Sequence, residues 1–296
     1  MKVATHSGSF HADDVFALAT LSLLGEPIEI VRTRDADAMA ACDVRVDVGF
    51  ADDPATGDFD HHQRGGAGER PNGIRYASFG LVWREYGTRL TGGDAAVADR
   101  VDRSLVQAVD ANDAGQAVVA PVFDGVRPMT VSGVIGGLNP TWEEQLTPEE
   151  ERRRFDEALA LAERILEREI ASAAAAQRAV TLVSDAIAGA EDPRLITLDR
   201  DVPWKEVVVT TAPDALFMIY PKRQGWGLEA VPRALGSFEN RRDLPAAWAA
   251  LDGPELARLT GVEDALFAHG KRFLAVARSR EGIEALAAQA LAADGA

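Results

Sequence analysis

Cysteine is almost missing from this chain of 296 residues: Cys42 stands alone, so no disulfide can form within it. That usage suits a reducing compartment and makes the cytoplasm the default location. Long apolar runs are missing as well. No stretch approaches the roughly 20 residues that a membrane helix needs, and the opening MKVATHSGSF lacks the basic and apolar regions of a secretion signal. Positive charge is scarce. The 31 Lys and Arg face 47 Asp and Glu, a formal charge of −16, which argues against a protein that coats duplex nucleic acid. An enzyme acting on short phosphorylated substrates is still allowed, because bound cations can supply positive charge locally. The 47% hydrophobic content excludes disordered and fibrous classes. The length is comfortable for two domains.

Histidine is scarce too, yet it is concentrated. Of five histidines, His6, His11, His61 and His62 fall within the first 62 residues. The surrounding pattern predicts where they sit. KVAT at 2–5 reads as a strand that breaks at the loop HSGSFHADD, and DDVFALATLSLLG follows with helical apolar spacing and two acids in its first turn. EIVRTR and DVRVDVGF read as further strands, SFGLVWREYGTRL and AAVADRVDRSLVQAVDANDAG as helices. Strands alternating with helices predict an α/β fold with a mainly parallel sheet flanked by helices. In such sheets ligands gather at the carboxyl ends of the strands. His6, Asp47 and the DHHQR loop all fall at that edge.

The next segment, TPEEERRRFDEALALAERILEREIASAAAAQRAV, predicts a long helix over 147–180 that links or braces two domains. Thr147 is its N-cap, Pro148 its first helical residue and Glu150 the far side of a capping box. RLITLD, EVVVTT, ALFMIYP and GWGLEAVP read as strands, and ELARLTG and REGIEALAAQALAA as helices. The region 191–296 is therefore expected to be a smaller α+β domain on a mixed or antiparallel sheet.

Four stretches carry chemistry. THSGSFHADD puts two His and two Asp on a strand-to-helix turn, an imidazole and carboxylate mixture that suits Mn²⁺, Zn²⁺ or Fe²⁺ better than Mg²⁺. The alternative is that Asp13 caps the helix and His6 lies satisfied in the core. Asp47 ends a strand. In DHHQR, His61 can take a metal while His62 faces substrate, Asp60 can fix a ring by accepting its free N–H, and Arg64 can clamp a phosphate. In AVDANDAG, Asp110 and Asp113 stand at a helix end, where the dipole disfavours carboxylates unless a cation offsets the cost. An Asx-type turn ending at Gly115 is the competing account, more natural for Asp113 than for Asp110.

In this order THSGSFHADD, VRTRD, DVRVDVGF, DHHQR, SFGLVW, AVDANDAG and LNPTW resemble the DHH phosphoesterase superfamily, and within it the Myg-type (melanocyte-proliferating-gene) metal-dependent hydrolases. PWKE, AVP, FAHG and SREG extend the resemblance over nearly the whole chain. It implies a DHH-phosphoesterase-like N-terminal domain at 1–144, then a connecting helix and a C-terminal substrate-binding domain at 145–296. It also implies two divalent cations, Mn²⁺ first and Mg²⁺ or Zn²⁺ as alternatives. Asp47 would bridge them, His6 and His11 would complete one site, and Asp13, His61 and Asp110 the other. His62 and Arg64 would touch the scissile phosphate, with Asp60 in support. Asp14, where the family commonly has glutamate, is expected to cap the helix instead. HGKRF is a loose counterpart of the superfamily's glycine-rich grip, which makes Arg241, Arg242, His269 and Lys271 candidates for substrate binding. Trp204, Trp226 and Tyr220, among the C-terminal strands, are candidates for stacking on a base.

The implied reaction is phosphodiester hydrolysis by two-metal activation of water, with a 3′–5′ exonuclease on RNA or short oligonucleotides expected. The partners are then single-stranded RNA or nucleotides and no membrane, and a homodimer is allowed. The alternatives are a small-molecule phosphatase or pyrophosphatase, a non-catalytic metal-dependent regulatory protein, and an acidic interaction domain with histidines in its core.

Overall fold

The computed structural model describes residues 1–293. It divides into two compact units, Met1–Ala174 and Ala175–Ala296.

In the first unit the order is β1 (Lys2–Thr5), α1 (Ala12–Ser22), β2 (Glu29–Arg32), α2 (Ala36–Ala40), β3 (Val44–Val46), β4 (Asp52–Asp53), β5 (Asp58–Phe59), α3 (Ser78–Leu90), α4 (Ala95–Val101), a π-helical turn over Asp102–Val106, α5 (Gln107–Asp113), α6 (Val131–Gly136) and α7 (Pro148–Ala188). The sheet runs β2-β1-β3-β5-β4. Its pairings are parallel except at the edge, where β4 is antiparallel to β5. Alternation in β1 decides the layers. Val3 joins the main core with Val44, Val46 and Phe59, and Ala4 joins a small cluster with Cys42 and Val48 on which Met39 of α2 packs. Every residue of α1 from Ala12 to Leu21 is buried. The helix packs against α3 and α6, and Phe16 stacks on Phe79 with ring centroids 5.2 Å apart.

The parallel strands end in step. β1 hands the chain to His6, β3 to Asp47 and β5 to Asp60, His61 and His62. The chemistry-bearing residues therefore leave one edge of the sheet because three strands stop there.

Helix α7 opens as its sequence signals. The Thr147 N–H donates to Glu150 Oε2 at 2.8 Å, and the Glu150 N–H returns to the Thr147 hydroxyl at 3.3 Å. Phe155, Ala158, Ala162, Leu166 and Ala173 pack into the first unit's core, whereas Val183 belongs to a cluster of the second unit. The division between the units thus falls inside a helix.

The second unit holds β6 (Leu195–Thr197), α8 (Lys205–Thr211), β7 (Phe217–Lys222), β8 (Gly225–Ala230), a 3₁₀ turn at Ala246–Trp248, α9 (Gly253–Thr260), β9 (Ala265–Ala268), β10 (Leu274–Ala277) and α10 (Arg280–Ala292). Its sheet is mixed, in the order β6-β7-β8-β10-β9, with only β6 and β7 parallel. One expectation fails here: EVVVTT is helix α8, not a strand. Its β-branched run is overridden by packing, since Val207 and Val208 bury in a cluster with Trp204, Met218 and Tyr220. The helix end is held by Arg241, whose guanidinium donates to the carbonyls of Val209, Ala212, Pro213 and Ala215. No described helix is long and apolar enough to cross a membrane.

Candidate metal centre

The centre assembles from backbone devices first. Asp13 and Asp14 lie in the first turn of α1, where helix N–H groups favour carboxylates. Asp14 Oδ1 accepts the His11 N–H at 2.8 Å, closing a box at the helix start and fixing the loop that carries His11. Helix α3 begins without a side-chain cap, and carboxylates take its free N–H groups instead. The Ser78 N–H donates to Asp13 Oδ2 at 3.4 Å and the Gly80 N–H to Asp110 Oδ1 at 2.9 Å. Gly80 has no substitute at this point, because a Cβ there would stand 1.9 Å from Asp110 Oδ2.

Asp47 is the hub. Its backbone is left-handed, with φ 56°, and its two oxygens face different histidines. Oδ2 lies 3.3 Å from His6 Nε2, and Oδ1 lies 3.3 Å from His61 Nε2 and 3.4 Å from His62 Nδ1. The Ser78 hydroxyl donates to Oδ1 at 2.9 Å. On the His6 side, Nε2 is 3.5 Å from Asp14 Oδ2. On the His61 side, Nε2 is 3.1 Å from Asp113 Oδ2 and 3.8 Å from Asp13 Oδ2. His11 Nδ1 approaches Asp113 Oδ1 at 3.7 Å.

These approaches do not close into hydrogen bonds. His6 Nε2, His61 Nε2, Asp13 Oδ1 and Asp14 Oδ2 are all buried without a hydrogen-bond partner. Buried polar atoms ordinarily find partners, so donor atoms that converge without bonding fit a guest held between them. Three sets of ligand atoms lie close enough to share an ion: His6 with His11 and Asp47; Asp47 with His61 and His62; His11 with Asp13 and Asp113. The donors are imidazole nitrogens and carboxylate oxygens, which fits divalent first-row cations.

The charge balance points the same way. Burial pushes the Asp13 carboxyl well above its ordinary value, helped by the charges of Asp47 and Asp113, and burial lifts Asp14 to about 7 against the pull of His6. Burial also opposes ionised Asp47, but His6 and His61 outweigh it and hold that carboxyl well below its usual range. His61 is driven the other way. Burial would lower it, yet Asp113 and Asp47 carry it up to about 10. Several acids compete for two buried imidazoles, and the charge of Arg32 adds a further pull on Asp14 that does not overcome its burial.

Asp60 serves His62 rather than a metal ligand set. It accepts the His62 backbone N–H at 3.1 Å, lies 2.8 Å from His62 Nδ1, and takes the Phe50 N–H at 2.7 Å. His62 is half exposed beside it, and Arg64 is exposed farther along the same loop.

Two positions are placed differently from the expectation. Asp110 is buried away from the histidines. Its Oδ2 lies 2.8 Å from Arg70 Nη1, and the same guanidinium donates to Asp102 at 2.8 Å. An internal cation already answers Asp110, and Asp113, one helical turn on, meets His61 in its place. Asp14, assigned only to capping, does that with Oδ1 and turns Oδ2 towards His6. Both residues were within the motifs that raised the question, but which acid of each pair faces inward depends on Arg70 and on the box at His11. Ser78 was missed because a serine at a helix start ordinarily serves as a cap.

Among the C-terminal candidates, Arg241 is spent on the α8 carbonyls and Arg242 reaches the carbonyl of Leu291 at 3.3 Å. His269 and Lys271 line a cavity of about 590 Å³ with Lys205, Glu229, Asn240 and Phe238. Trp204 and Tyr220 are core residues and present no face to a base. Trp226 is partly buried, with the Arg280 guanidinium 5.4 Å from its ring centroid.

The chain matches, over residues 2–291, the family model MYG1_exonuc, described as "Uncharacterised protein family (UPF0160)", and belongs to that family. Its curated relatives include the MYG1 exonuclease of Homo sapiens, 32% identical over 98% of this chain and 86% of the relative. The MYG1 exonuclease of Bos taurus is 31% identical over 98% and 84%, and a MYG1 protein of Saccharomyces cerevisiae 30% identical over 98% and 96%. Among solved structures, RecJ of Thermus thermophilus in complex with Mg²⁺ aligns over 99% of this chain and 50% of its own, with 13% identity and a TM-score of 0.32. That likeness is too slight to carry anything about this chain.

Proposed function

We propose that this protein is a divalent-metal-dependent phosphodiester hydrolase, acting as a 3′–5′ exonuclease on RNA or short oligonucleotides. One observation carries the reading: both oxygens of Asp47 face separate histidines whose Nε2 atoms are buried without hydrogen-bond partners. The names of the human and bovine relatives, exonucleases at 31–32% identity over almost the whole chain, support the same activity.

Asp47, His6, His11, Asp14, Asp13, His61 and Asp113 are the residues that would hold divalent cations. Such cations would supply the charge that brings water towards ionisation at neutral pH and stabilises an anionic transition state. The protein's own groups do the rest. Asp60 holds a proton of His62 on Nδ1, which presents Nε2 to the substrate as an acceptor in the neutral ring and as a donor to a phosphate oxygen or the departing sugar oxygen only in the charged one. Arg64, on the same loop, offers a planar fork for the non-bridging oxygens. Ser78 holds Asp47 by one oxygen, and the box at α1 holds the His11 loop, so the ligands are preorganised rather than gathered on binding.

The test is metal content measured alongside product analysis. Wild-type protein is expected to carry stoichiometric metal and, with Mn²⁺, to release mononucleotides from the 3′ end of a short RNA. Asp47→Ala should lose the metal and at least about a hundredfold of the rate, the scale of removing one charge-stabilising group. Turnover of pyrophosphate alone would replace the exonuclease with a small-molecule phosphatase. Metal binding with no hydrolysis of any phosphoester would make the protein a regulator.

A further inference from the structure

Trp142 is 91% exposed, whereas Trp83, Trp204 and Trp248 are all at 4% or less. A large aromatic ring held in water forgoes the burial that normally stabilises it, and a frayed loop would account for that simply. This loop is braced on both sides of the ring. On one side the Asn139 side chain makes a two-point clamp on the metal loop: its Nδ2 donates to the Phe10 carbonyl at 2.8 Å, and its Oδ1 accepts the Phe10 N–H at 3.0 Å. Phe10 immediately precedes His11. On the other side the Glu144 N–H donates to the Thr141 carbonyl at 3.1 Å, and Glu144 Oε2 accepts the Thr141 N–H at 2.8 Å. Glu144 Oε1 is then bound by Arg154 of α7 at 2.8 Å. Trp142 therefore sits at the crest of a pinned turn.

That turn lies beside the centre. Asn139 lines a cavity of about 400 Å³ together with His11, Asp13 and Asp113. Three residues of chain reach at most about 11 Å, so the Trp142 Cα stands within that distance of the Cα of Asn139 on the cavity wall. The chain's charge gives such a ring a task. A protein at −16 cannot draw in a polyanion by broad electrostatic attraction, and stacking on a base costs no positive charge and tolerates any sequence.

We propose that Trp142 is a stacking platform for a base adjoining the scissile phosphodiester of a single-stranded substrate, set in place by the Asn139 clamp on the metal loop. The inference rests on the exonuclease reading above. LNPTW then has a division of labour: Asn139 ties the turn to the metal loop and Trp142 faces the strand.

The experiment is a chemical double-mutant cycle on binding, read with Mn²⁺ present on a short single strand made uncleavable by phosphorothioate links. A companion series carries one abasic position at a time. Trp142→Ala should weaken binding of the intact strand by about 5- to 160-fold, the increment for one stacked base. Trp142→Phe should recover most of it. One abasic position should cost wild type the same factor and cost Trp142→Ala nothing more. Quenching of the exposed tryptophan's fluorescence should accompany binding in wild type and vanish in Trp142→Ala. Full-strength binding by Trp142→Ala, or an equal loss for every abasic strand, overturns the stacking role and leaves the exonuclease reading standing. A wild-type protein that binds no single strand while turning over pyrophosphate overturns both. An unchanged melting temperature in Trp142→Ala excludes misfolding as the cause of any loss.

Discussion

Asp110 and Asp113 leave the same helix end one turn apart and meet opposite surroundings. Asp110 is answered from within the protein by Arg70, which is itself shared with Asp102 and laid over the Tyr76 ring at 4.2 Å. Asp113 enters a cluster with Asp13, Asp14 and Asp47 in which the only cations paired among the described residues are imidazoles, and these charge only when protonated. Both regions are buried acids in one unit. The first holds a permanent cation in Arg70, although burial still lifts Asp110 to about 7. The second has only imidazoles within ion-pair distance, and burial there works against the charge of Asp13 and Asp14 while His61 holds Asp113 below its usual range. A buried carboxylate is therefore no sign of a site by itself. The sign is a buried carboxylate whose counter-charge the fold has not provided.

Removing the internal cation gives the sharpest way to break that contrast. Arg70→Leu leaves Asp110 buried without its partner and should destabilise the protein by about 3–5 kcal/mol, read by denaturant unfolding, with metal stoichiometry retained. If Mn²⁺ restored wild-type stability to this variant, Asp110 would belong to the metal centre after all. A smaller effect of opposite sign is expected on the other side. Asp14→Asn removes a carboxylate that burial resists ionising, so metal-free protein at pH 8 should gain about 1–3 kcal/mol while its affinity for metal falls. Unchanged affinity would return Asp14 to capping alone.

The gentlest effect is spread over pH. In chelated protein Asp13, Asp14 and Asp110 hold their protons to higher pH folded than unfolded, Asp14 and Asp110 to about 7. The folded state then binds more protons, and stability falls as pH rises from about 4 to 7. His61, raised to about 10, adds stability that is complete below about 6.5 and lost as pH climbs towards 10. Melting temperatures of the metal-free protein should thus decline across the whole range. Saturating Mn²⁺ should weaken or reverse the slope between 4 and 7, because binding requires Asp13 and Asp14 deprotonated.

Much of the fold was legible for local reasons. KVAT, the acidic first turn of α1 and the box at Thr147 each carry a physical signal within a few residues, and each element stands where that signal puts it. Convergence at the strand ends was legible as well, since parallel strands share an edge. What escaped was decided at a distance. EVVVTT reads as a strand until Trp204, Tyr220 and Met218 gather around it. Asp110 reads as the inward acid until Arg70, forty residues earlier in the chain, arrives beside it. The exposed tryptophan was invisible because exposure has no local pattern, and Trp204 and Trp142 look equally available in a row of letters.

The left-handed backbone at Asp47 has one more consequence. At φ 56° glycine would relax the chain, and at position 14 asparagine would relieve a resisted ionisation. A redesign guided by folding energy alone would write both changes and produce a sturdier molecule with nothing to grip an ion. The two acids stand where folding energy alone would place other residues, so what they do for the chain lies outside its stability.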